Sequence, residues 1–170
     1  MTDTADDIHG ILLSLHAIST YAVKAAAEYP ISMAYGARIQ GLAMESRSVV
    51  DAVQSALPLL FRATGGPIYD VDTAEVEELR KLGGWLAGLD EDPAEAYALA
   101  WFARLTAVLN EKLKAVLRWA SEHELRQPAR LVDPLLERLQ WLDYALNEAR
   151  AADKISSEQQ RLINGSRNRP

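Results

Sequence analysis

The chain has 170 residues, no cysteine and a formal net charge of −6 at pH 7. That length suits one domain with a core large enough to need no covalent staple. The composition excludes disulfides, thiolate catalysis and cysteine-held metal centres, and the net acidity disfavours general nucleic-acid binding through phosphate contacts.

Apolar residues recur at helical spacing from Ile8 to Leu162, and no strand pattern or internal repeat interrupts them. A first helix is expected over about Thr4–Tyr29. Its stripe is Ile8, Leu12, Leu15, Ser19, Ala22 and Ala26, and Pro30 ends it. A second is expected over about Ser32–Thr64, with the stripe Tyr35, Ile39, Leu42, Ser46, Val49, Val53, Leu57 and Leu60. Gly36 and Gly41 lie among several Ala and Ser residues there, which suggests a close approach by another backbone. Pro58 should kink or split this helix, and Gly65-Gly66-Pro67 should end it.

A third helix should begin near Asp72 or Thr73, where Asp72 and Glu75 resemble a capping box. Its stripe is Val76, Leu79, Leu82, Leu86 and Leu89, with Gly83-Gly84 as a breaker. Asp92-Pro93-Ala94-Glu95 reads as the start of a fourth helix that runs to about Glu124. Trp101, Leu105, Val108, Leu109, Lys112, Val116 and Trp119 form its stripe. A fifth is expected over about Ala129–Lys154, or from nearer Asp133 if Pro134 belongs to its first turn. Its buried stripe is Leu131, Leu135, Leu139, Leu142, Leu146 and Ala149. A short last helix, Glu158–Ile163, would stop at Asn164-Gly165. The fold expected is all-α: an antiparallel bundle of about five helices plus a short C-terminal helix. It would form one domain over 1–165, followed by a disordered basic tail over 166–170. Small residues on the second helix make it the expected face of a homodimer.

The acidic N-terminus (Asp3, Asp6, Asp7) is unlike a secretory signal, and the longest apolar run, Ala96–Leu109, is too short to cross a bilayer. A cytoplasmic protein is therefore expected. Charge is unevenly spread: residues 1–69 carry a net −2, residues 70–95 a net −7 and residues 96–170 a net +3. The middle stretch reads as a solvated helix face or as an acidic surface aimed at a basic partner.

Few residues suggest chemistry. His9 and His16 share a face, but neither their spacing nor their neighbours suit a metal site, and they read as boundary histidines with satisfied nitrogens. No metal or cofactor is expected. Trp101 and Trp119 are five helical turns apart and read as core anchors. Trp141, with Arg138 at the edge of its stripe, fits an interface hot spot, as does Trp85 beside the acidic Asp90, Glu91 and Asp92. These six residues make the first functional reading: a non-enzymatic helical interaction protein of the adaptor, inhibitor or immunity type, as bacteria or mobile elements encode.

Arg118-Trp119-Ala120-Ser121-Glu122-His123 supports a second reading. It resembles the Arg-x(4–6)-His signature of HEPN domains, all-α proteins that often cleave RNA. The resemblance implies that Arg118 would hold the scissile phosphate and His123 would move a proton, across a dimer. Trp119 stands where that family usually carries a polar residue. A third reading is a small-ligand-binding bundle, with packing loosened around Pro58 and Gly83-Gly84.

Overall fold

The computed structural model describes residues 4–28, 37–82 and 95–167. Five helices stand among them: α1 (Thr4–Glu28), α2 (Ala37–Thr64), α3 (Ala74–Leu82), α4 (Glu95–Glu122) and α5 (Arg126–Arg167). No strand occurs among the described residues, and the all-α expectation holds.

The periodic stripes become the core. Ile8, Leu12, Leu15, Ile18 and Ala22 of α1 meet Ile39, Leu42, Val49, Val53, Leu57 and Leu60 of α2. Leu105, Val108, Leu109, Leu113 and Val116 of α4 meet Leu135, Leu139, Leu142 and Leu146 of α5. Trp101 is buried and Trp119 is half-buried against this core, as anchors should be. Polar contacts define the packing order. Gln54 of α2 donates to Ser19 Oγ on α1, and Ser19 in turn donates to the Leu15 carbonyl at 2.7 Å. Arg104 of α4 meets Glu78 of α3, and Lys112, about two turns further along α4, meets Glu75, about one turn earlier on α3. The sequence order of these pairs makes α3 antiparallel to α4, as α1 is to α2.

Helix ends follow local chemistry. At the end of α2, Gly65 adopts φ 71° and its N–H returns to the Phe61 carbonyl at 2.9 Å. That left-handed step is one Gly takes without strain. At the end of α4, Leu125 N–H bonds Ala120 O at 2.8 Å and Glu124 N–H bonds Ser121 O at 3.2 Å. This is a Schellman closure, with Glu124 at the left-handed position (φ 56°) where Gly is usual. α3 is capped by Thr73, whose Oγ1 accepts from Val76 N–H at 3.1 Å. Thr73, not Asp72, is thus its N-cap, and the expected box with Glu75 does not form.

Other boundaries also differ from expectation. α2 passes through Pro58 without splitting; the ring lies on the exposed side, where a missing N–H matters least. α5 begins at Arg126, so Pro134 sits inside it rather than in its first turn. It then continues unbroken to Arg167, so the separate short helix and the stop at Asn164-Gly165 are both absent. Leu82, placed in the core stripe of the third helix, ends α3 half in solvent at 38% exposure. Gly41 has nothing within reach of an added Cβ, so among the described residues no backbone of the chain approaches it closely. Gly36, Tyr35, Pro30, Gly83-Gly84, Leu86 and Leu89 lie outside the described residues.

The α2–α3 connection crosses α1 at His9. The imidazole stands edge-on to Phe61 (ring centroids 5.6 Å apart) and tilted against Tyr69 (6.1 Å). Its third neighbour is Gly66, where any Cβ would overlap the ring. Both His9 nitrogens are buried with no hydrogen-bond partner. The expectation of two satisfied histidines therefore fails at His9, because the helix sets its ring into an aromatic and main-chain pocket. His16 instead faces Asp70 across 3.4 Å.

Two predictions arise from these contacts. Gly66→Ala should cost about 1–3 kcal/mol through overpacking. Chemical denaturation should recover most of that loss when His9→Ala is added, and equal losses in both backgrounds would refute the contact. Glu124→Gly should raise stability by about 0.5–1 kcal/mol by removing left-handed strain, read as a higher denaturation midpoint.

Candidate interaction face

The buried stripe of α5 determines what its other side displays. At about 100° per residue, burial of Leu135, Leu139, Leu142 and Leu146 turns positions 137, 141, 144 and 148 outward. Trp141 and Tyr144 are accordingly 68% and 59% exposed, packed edge to face with ring centroids 6.5 Å apart. Large aromatic rings side by side in water are unusual on a folded monomer. The Tyr144 hydroxyl donates to the Glu148 carboxylate, and that bond, with the carboxylate's charge, pushes the phenol above its usual range. Arg138 is half-buried and donates to Ser48 Oγ on α2, across the α2–α5 seam. Its stem and head are thus fixed to the bundle beside Trp141. Met44, one turn before Ser48, is 73% exposed.

A groove of about 770 Å³ runs between α4 and α5. Its α4 wall is Ala107, Asn110, Glu111 and Lys114, and its α5 wall is Asp133, Leu136, Glu137, Gln140 and Asp143. Each set is one helical face. Tyr144 is one turn from Gln140 and two turns from Glu137, so the aromatic pair borders the groove.

Four of the five acids of residues 70–82 are arranged differently. Asp70 faces His16 at 3.4 Å, Glu77 faces Arg80 at 3.4 Å, Glu78 faces Arg104 at 2.8 Å and Glu75 faces Lys112 at 3.2 Å. Glu75 shows the electrostatic result. Burial opposes its ionisation, yet its own backbone N–H, the Lys112 ammonium and the Arg104 charge together hold its carboxyl below the usual value. Part of the acidic surface read from composition therefore holds α3 to its neighbours. Trp85, Asp90, Glu91 and Asp92 lie outside the described residues.

Arg118 and His123 are both exposed at the end of α4. The His123 ring tilts over Trp119 (5.3 Å), with Nδ1 at 2.9 Å from the Trp119 carbonyl. Five residues apart, the two side chains leave the helix about 140° apart, and no hydrogen bond joins them among the described residues. Among those residues no group of three His, Asp or Glu side chains is placed to hold a metal ion, and no helix is long and apolar enough to cross a membrane. Reading the sequence alone misses Tyr144 and the groove. The spacing of Tyr144 three residues after Trp141 was the available signal, whereas the groove needs two helices in register.

Comparison of the chain with family models, with curated proteins and with solved structures finds no match.

The Glu75–Lys112 pair gives a pH prediction. A carboxyl depressed in the folded state stabilises fully above its unfolded pKa, about 4.3, and loses that contribution as pH falls through the lower folded value. Glu75→Gln should therefore destabilise the protein at pH 7 and make progressively less difference below about pH 4. Thermal melts of both proteins between pH 7 and pH 3 read this directly, and a constant difference would contradict it.

Proposed function

We propose that this chain is a helical protein–protein interaction module whose contact face is the outer side of α5. The observation that supports this reading is the exposed, edge-to-face Trp141–Tyr144 pair. Aromatic side chains with few rotamers, supported beneath by a packed helix and flanked by a fixed Arg, have the properties of interface hot spots. Arg138 supplies that flank through Ser48. The lack of cysteine suits a reducing compartment such as the cytoplasm.

A homodimer through the small-residue face of α2 is a second form of this reading. It is favoured by Met44, 73% exposed, and by open space over Gly41 on the same helix. The HEPN-like alternative, in which Arg118 and His123 act across a dimer, is a separate reading, tested by RNA cleavage that Arg118→Ala would abolish.

Affinity purification from cells that make the protein tests the proposal. Wild type should recover a stoichiometric protein partner or a second copy. Trp141→Ala together with Tyr144→Ser should weaken that association by roughly thirty-fold, about 2 kcal/mol, while circular dichroism stays unchanged. Equal recovery by both proteins would refute the α5 face.

A further inference from the structure

The groove beside the aromatic pair says what kind of partner the face accepts. Glu111, Asp133, Glu137 and Asp143 line it, against Lys114 alone of opposite sign. Among the described residues none of these four acids has a Lys, Arg or His within ion-pair distance, in contrast to Asp70, Glu75, Glu77 and Glu78. Leu136 and the buried Leu139 supply an apolar floor between the charged walls. Both walls repeat at helical spacing, so the depression is elongated along the helices. Beside it, the rings of Trp141 and Tyr144 offer exposed faces that attract cations.

We infer that the partner presents a basic amphipathic helix that lies along the α4–α5 groove. Its apolar side rests on Leu136 and the aromatic pair, and its Lys or Arg side chains meet Glu111, Asp133, Glu137 and Asp143. This is helix-in-groove recognition, with charge complementarity supplying direction and encounter rate. It rests on the reading of α5 as an interaction face and adds the chemistry of the occupant.

The test is a titration of ¹⁵N-labelled full-length protein with an amphipathic Leu/Lys/Arg peptide helix, and with the same peptide carrying Glu for each Lys and Arg. The basic peptide should give saturable amide shifts confined to residues 106–114 and 133–148. Its affinity should fall about tenfold between 50 and 300 mM salt. Glu137→Lys with Asp143→Lys should weaken it at least tenfold, and the milder Glu137→Gln with Asp143→Asn should weaken it in the same direction. Glu45→Lys, on exposed α2, should leave it unchanged. Equal binding of the acidic peptide, shifts spread over other helices, or an equal loss with Glu45→Lys would overturn the inference as unspecific charge attraction. The two readings fail separately. If Trp141→Ala releases the natural partner while the Glu137 and Asp143 variants keep it, the α5 face stands and the basic helix is wrong. If the recovered partner is a second copy seated on this face, the basic helix is also wrong. If neither set of variants releases the natural partner, both readings fall.

Discussion

The reversal between α4 and α5 is the constraint on which the rest of the molecule depends. Three residues, His123 to Leu125, turn the chain back on itself, with Glu124 held in a left-handed conformation by two main-chain hydrogen bonds. So short a connection keeps α5 beside α4, and the leucine seam between them lays the two helices antiparallel. Leucine stripes on both helices then fix its rotation, because only one face of each can leave water. That rotation carries Trp141 and Tyr144 outward and Arg138 toward α2. It also sets the acidic edge of α5 opposite Asn110, Glu111 and Lys114, so groove and aromatic pair share one cause.

Carboxylates of similar sequence context act differently according to what the fold brings near them. Around α3 they meet Arg104, Lys112 and His16, and the attraction attaches a short helix and its preceding loop to the bundle. Along the α4–α5 groove they face one another across a gap that holds a single Lys. Composition alone shows an acidic excess in the middle of the chain. Four described acids of that stretch, Asp70, Glu75, Glu77 and Glu78, have cationic partners, while Glu111, Asp133, Glu137 and Asp143, in the half that is basic on paper, have none among the described residues. A net charge by segment is therefore a poor guide to which surface is electrostatically unfilled.

Much of the architecture was readable from periodicity. The stripe from Ile8 to Ala22, the one from Ile39 to Leu60 and the one from Leu135 to Ala149 all became core. The Gly65 cap was readable because a left-handed residue has few substitutes. Proline positions misled, since Pro58 and Pro134 remove one hydrogen bond each but do not by themselves cancel the packing of a whole helix face. The end of α5 misled for a related reason: Asn164 and Gly165 are weak helix formers, and weak preference is not a stop. On the candidate site, Trp141 and Arg138 could be singled out as edge residues of a stripe. The groove could not, because its walls come from two separate helices, residues 106–114 and 133–143, and only their register defines it. His9 was hidden by the same limit, since its pocket consists of a ring, a phenol and a backbone that meet only after folding.

α3 carries a consequence for how the protein opens. Its nine residues are too few to remain helical alone in water. It buries Val76 and Leu79 but ends with Leu82 in solvent, and ion pairs at the surface supply much of its remaining attachment. Such pairs are screened by salt, whereas the leucine seam between α4 and α5 is not. The molecule thus has a hierarchy of cooperative units. α3 should detach in low-energy excursions that leave the α4–α5 pair intact, with its amides exchanging hydrogen for deuterium well before those of the long helices.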